Sequence, residues 1–273
     1  MLRDIRAELT KQSRRPASWL LLAVAVVLTL TFGYVVPYAA LGGTPVSGGP
    51  GAGRGLSAML PDAFVGSALG GLPIFVGALA LIFGVLVAGS EYGYGTWKTV
   101  LVQHPSRLAV YAAKLVTVAV AALAVVLALF AAAAGAGAVV ASLQDQPQSW
   151  PPASDVVLGL GAGWLVTTMW GVLGVLLAIG LRSVALPIGL GLVWLLAVQN
   201  LLASVAAPLL DWVAQLQKAL PGPNAGALAA AFGADAPGAD GIVGSGQAAV
   251  VLAAYLVAFG LLGGRLLHRR DIA

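Results

Sequence analysis

The sequence predicts an all-α integral membrane protein with six transmembrane helices and both termini in the cytoplasm. Three observations carry that prediction. The chain is 60% hydrophobic and only 9% charged over 273 residues. A soluble domain carries about a quarter charged residues, so this chain has too little charge to cover a water-facing surface. Six windows hold the roughly 20 apolar residues that cross a bilayer as helix. The basic residues then gather on one side of those windows.

Residues 1–16, MLRDIRAELTKQSRRP, come first. Leu2, Ile5 and Leu9 fall at i, i+3 and i+7, one face of a helix, with Arg3, Arg6, Lys11 and Arg14 mostly elsewhere. The pattern fits an amphipathic helix lying in the membrane interface, its basic groups near anionic headgroups. A simple stop-transfer charge cluster is the plainer alternative. Pro16 marks the turn into the first span, 17–40. Its Trp19 stands at the edge, where aromatic rings favour the headgroup region. That run is too long for a signal peptide and lacks a small-residue cleavage site.

A Gly/Pro-rich outer loop, 41–61, leads to the second span, 63–89. The polar segment 91–108 separates it from the third span, 110–137. Thr96 is positioned as an N-cap. Trp97, Leu101, His104, Leu108 and Tyr111 follow at alternating four- and three-residue steps, forming one stripe, and Pro105 divides it. A basic loop that only fixes topology would not need that order, so the segment reads as a docking element. A polar outer loop, 142–155, precedes the fourth span, 156–180. The connection 181–183 is tight enough to make an antiparallel hairpin with the fifth span, 184–208. The long outer segment 209–246 has room for short interfacial helices, and its AGALAAAFG stretch (225–233), too short to cross, reads as loop. The sixth span is 247–267.

Charge orients these spans. Arg3, Arg6, Lys11, Arg14, Arg15, Lys98, Arg107, Lys114, Arg182, Arg265, Arg269 and Arg270 all fall on the N-terminal side; only Arg54 and Lys218 fall opposite. That is a positive-inside pattern. It also accounts for the net charge of +4 as topology, leaving nothing for a nucleic-acid partner.

The chemistry is mostly exclusion. The chain has no Cys, and His104 and His268 stand far apart, so no metal site is expected. GGPGAGRGL (48–56) has Walker-like glycines, but Arg54–Gly55 replaces the required Lys–Ser/Thr, so it binds no nucleotide. No catalytic constellation appears. The spans nearly lack Asp and Glu away from their ends, which disfavours an ion-driven carrier or channel. The polar residues within spans are Thr167, Thr168, Gln199 and Asn200. They read as the lining of a translocation path or as helix–helix hydrogen bonding; Gln199 and Asn200 point about 100° apart on a helix.

The run GSEYGYGTWKTVLVQHPSRLAVYAAKLV resembles the permease subunits of type-2 ATP-binding-cassette (ABC) exporters. The matching features are Glu91 at the end of span 2, Gly95–Thr96, Pro105–Ser106–Arg107 and Lys114 opening span 3. The resemblance implies that 1–16 is the family's elbow helix and that 91–108 is its coupling helix. Glu91, Gly95, Thr96, Trp97, Lys98, Leu101, His104, Pro105 and Arg107 would then meet a separate cytosolic ATPase. It further implies two permeases, identical or paralogous, with two ATPases in a bacterial plasma membrane. ATP and Mg would be bound by the ATPase and no cofactor by this chain. The expected cargo is hydrophobic or amphipathic: a drug, antibiotic, lipid or peptide. A non-transporting membrane anchor for an ATPase is the alternative.

Overall fold

The computed structural model describes residues 2–42, 55–95, 106–235 and 241–269, and every regular element among them is helical. Helix α1, Leu2–Ser13, carries Asp4 in its first turn and Lys11 in its last, the arrangement that complements the helix dipole. Arg15 is extended and Pro16 sits in the first turn of α2, Pro16–Leu41, where a missing N–H costs nothing. After it come α3, Pro61–Gly93, α4, Arg107–Leu143, and α5, Ala153–Leu181. A hairpin leads into α6, residues 185–209, a series of short helical pieces. Two short helices, α7, Asp211–Gln217, and α8, Pro221–Ala230, precede α9, Ser245–Arg269.

Five of these helices (α2, α3, α4, α5 and α9) are long and apolar enough to cross a membrane. The sixth expected window, 184–208, is helical but broken by π turns at Val193–Val198 and Leu202–Ala206. Two other π turns have a visible cause. Thr31–Val35 in α2 is followed by Pro37, and Leu72–Val76 in α3 contains Pro73. A proline removes an interior hydrogen bond, and the wider turn re-pairs the backbone, as in Val76 N–H to the Gly71 carbonyl at 2.8 Å.

The core is the crossing of α3 and α5. A Cβ added at Gly84 would lie 1.9 Å from the Gly171 carbonyl oxygen, and one at Gly174 would lie 2.2 Å from that of Leu81. Small residues let the two backbones touch, which is how helices associate where no hydrophobic drive exists between them. Trp170, fully buried, fills the space left by Gly77. On one flank α4 holds α2 through Tyr34 Oη to the Ala133 carbonyl at 2.9 Å. On another, α9 presses Gly263 and Gly264 onto Tyr111, whose hydroxyl donates to the Gly260 carbonyl at 2.8 Å.

Two expectations change. The 225–233 stretch is not loop: most of it belongs to α8, whose Asn224, Ala225, Gly226, Ala227, Leu228 and Ala229 are buried. Its small side chains let it pack on α9 and the irregular start of α3, a tertiary contact that periodicity over so short a run does not signal. The apolar stripe of α1 is also split. Ile5 and Leu9 are half-buried together with Glu8, while Leu2 is 84% exposed. The face turned to the protein is therefore a mixed one, because Glu8 and Gln12 have polar partners there.

Candidate coupling site

The segment 91–108 is described only at its two roots. Thr96, Trp97, Lys98, Leu101, His104 and Pro105 lie outside the described residues. At the first root α3 runs to Gly93, the N–H of Tyr94 bonds the Ser90 carbonyl, and Gly95 takes φ +64°. A left-handed residue at that place ends the helix, and glycine adopts it without steric cost. At the second root Ser106 caps α4, its hydroxyl accepting from the Ala109 N–H at 3.3 Å. Arg107 is the first residue of that helix.

Between the roots, four charges meet. Glu91, 4% exposed and two residues from the end of α3, accepts from Lys11 of α1 and from Lys114 of α4, the latter at 3.2 Å. Lys114 is only 1% exposed. It also donates to the Val87 carbonyl at 2.9 Å and lies 3.4 Å from Glu8 Oε1. Glu8 is 3.6 Å from Lys11 and accepts from Gln12 Nε2 at 3.0 Å. One turn further on, Arg15 Nη1 donates to Ser90 Oγ at 3.0 Å and to the Leu86 carbonyl at 3.4 Å.

Among the described residues, two carboxylates and two ammonium groups thus form a network of zero net charge joining α1, α3 and α4. Neutrality matters, because burying an uncompensated ion costs several kcal/mol while a fully paired set roughly breaks even. Such a junction ties the three elements together, with each lysine within reach of both carboxylates.

Glu91 and Lys114 were visible in the sequence, but Glu8, Lys11, Arg15 and Ser90 were not singled out for this role. A usable signal existed. A lysine two turns inside an apolar run needs an acidic partner, and Glu91 and Glu8 are the acids nearest the same end of the bundle.

The four polar span residues have separate fates. Thr167 is buried and bonds back to the Gly163 carbonyl at 2.8 Å, and Thr168 is buried with its hydroxyl unpartnered. Gln199 faces inward; with its carboxamide oxygen turned towards them, it accepts from Trp194 Nε1 and the Gly222 N–H, both at 3.3 Å. Asn200 faces outward and donates to the Leu196 carbonyl at 2.8 Å. The adjacent pair therefore shares no face of the helix. Among the described residues no group of acids or histidines could hold a metal ion.

The model of the family described as "ABC-2 family transporter protein" matches residues 4–198. The match takes in α1, both roots of the 91–108 segment and the network between them. No curated protein matches the chain.

Proposed function

The chain belongs to the ABC-2 family of transporter proteins, as a permease-type, multi-pass membrane component, and on that premise we propose that it is the permease half of an ATP-driven exporter. It forms the substrate path and changes conformation, and a separate cytosolic ATPase hydrolyses ATP with Mg. Closure of the ATPase pushes on the 91–108 coupling segment and shifts the permease between states with different exposure of the path. Glu91, Gly95, Thr96, Trp97, Lys98, Leu101, His104, Pro105 and Arg107 belong to that interface. Trp97 and Leu101 supply its apolar contacts, and Lys98 and Arg107 its polar rim. Two such permeases and two ATPases make the working unit in a bacterial plasma membrane, and the cargo is hydrophobic or amphipathic.

One observation carries the reading. The Glu8–Lys11–Glu91–Lys114 network ties the first root of the segment, at Glu91, to the arm and to Lys114 of α4. A passive topogenic loop has no use for a root braced in this way.

The test is a double substitution, Trp97→Asp with Leu101→Asp, in the full chain co-expressed with its ATPase. The expected result is loss of ATPase co-purification, or at least a tenfold fall in ATP-driven transport, with the permease still inserted. Unchanged co-purification together with unchanged transport would sink the coupling role.

A further inference from the structure

A cavity of about 210 Å³ lies beside the charge network rather than within it. Leu22 and Ala25 of α2 form one wall, Val118 and Ala121 of α4 the other, and Phe83 of α3 the floor. Gln12 and Ser13 of the arm close one end. The rim residues Trp19 and Val120 are exposed, so the cavity opens sideways, out of the bundle. The indole N–H of Trp19 donates to the Ser13 carbonyl at 2.7 Å, fixing the rim to the arm.

Three of the polar side chains on the wall already have partners. Gln12 Nε2 donates to Glu8, Thr117 Oγ1 to the Ala113 carbonyl, and Thr167 Oγ1 to the Gly163 carbonyl. What remains for a guest is hydrocarbon. Apolar cavities of about 150 Å³ stay dry and accept apolar guests, and this opening faces the outside of a membrane-spanning bundle. Drug-sized ligands occupy pockets of about 300–1,000 Å³, so the space suits part of one chain better than a whole cargo molecule.

Charge identifies the rest of the guest. Arg3, Arg6 and Arg14 of the arm segment are exposed, with no ion-pair partner among the described residues, and Arg14 adjoins Ser13 at the closed end. We propose that the groove holds one acyl chain of an anionic phospholipid, with its phosphate against Arg14 and the basic side of the arm. The lipid would wedge between α2 and α4 directly beside the Glu8–Glu91 network. This inference does not rest on the transport reading and would hold for a membrane anchor as well.

The experiment is photolabelling of the purified full chain in nanodiscs of phosphatidylcholine and phosphatidylglycerol. Each lipid in turn carries a trace diazirine acyl chain, and adducts are mapped by peptide mass. Phosphatidylglycerol adducts are expected to concentrate on residues 18–25 and 117–125, several-fold above the exposed Leu261 side of α9. Ala121→Phe should reduce them several-fold. Arg14→Gln should reduce the phosphatidylglycerol adducts about fivefold, the effect of one basic group near an anionic surface, and leave phosphatidylcholine adducts unchanged. If Ala121→Phe lowers the yield of folded chain, Ala121→Leu supplies the same comparison. Three results would each overturn the proposal: even labelling of the groove and α9, adducts indifferent to a filled groove, or an equal Arg14→Gln effect on both lipids. Cross-links from the groove to a second copy of the chain would overturn it too, by assigning that face to a protein contact.

Discussion

The α3–α5 crossing and the α1–α3–α4 junction lie on the same helix, α3, yet they are held by opposite means. At the crossing, Gly84 meets the Gly171 backbone and Gly174 meets that of Leu81, so contact depends on the absence of side chains. At the junction, long side chains reach across: Lys114 from α4 and Lys11 from the arm both meet Glu91, and Glu8 of the arm pairs with the same two lysines. A backbone contact has one arrangement and loses everything when displaced. A charge network can exchange partners among four groups while remaining paired. The difference sets the fixed backbone contact of α3–α5 against a junction whose side chains can re-pair.

The largest effect should come from breaking the junction. Lys114→Ala leaves Glu91 and Glu8 sharing Lys11, and removing one member of a buried ionic set costs about 3–5 kcal/mol. Thermal unfolding of the permease in nanodiscs would show it. The double variant Lys114→Met with Glu91→Gln should recover part of the loss, because residues in contact couple by about 0.5–3 kcal/mol. Strict additivity of the two changes would show that these side chains do not act as one network, and the contrast between the regions would collapse.

How much of this was legible beforehand follows from how local each signal is. The helical windows, the turn at Pro16 and the tight connection at 181–183 depend on neighbouring residues; five windows reappear as long apolar helices, and 184–208 as a helix broken by π turns. Arg182, at φ +50°, closes that connection. The burial of α8 was not legible, because Ala and Gly over ten residues look alike in a loop and in a packed helix. The junction was half legible. Glu91 and Lys114 stood out as charges beside apolar runs, but Lys11 lies 80 residues from Glu91, and nothing in either local pattern names the other. The direction of Gln199 depends on Gly222, a residue in another element.

The crossing should respond next, and without rescue. Gly84→Ala places a methyl against the Gly171 carbonyl, and overpacking of this kind costs up to about 3 kcal/mol. No second substitution restores the fit, since the atom struck belongs to the backbone of a residue that is already glycine. The loss should appear as a lower unfolding midpoint in nanodiscs, accompanied by weaker protection from hydrogen exchange in both α3 and α5. An unchanged midpoint would mean that the two helices slide apart freely, and the crossing could not be the rigid member of the comparison.

The smallest effects come from two glycines two residues apart, and their signs should differ. Gly93 is the last residue of α3, with helical backbone and, among the described residues, nothing within 4 Å of an added Cβ. Gly93→Ala therefore restricts the unfolded chain at no cost to the folded one and should stabilise by about 0.4–1 kcal/mol. Gly95 has the same open surroundings but φ +64°. There the left-handed backbone presses a Cβ towards the following carbonyl, costing about 1–2 kcal/mol. Gly93→Ala and Gly95→Ala each add one methyl at a site equally open among the described residues, so packing cannot explain a difference between them. Opposite shifts in the exchange rates of the amides from Ser90 to Tyr94 would locate the end of α3 at Gly95 itself. Equal shifts would mean that the left-handed turn does not set that boundary.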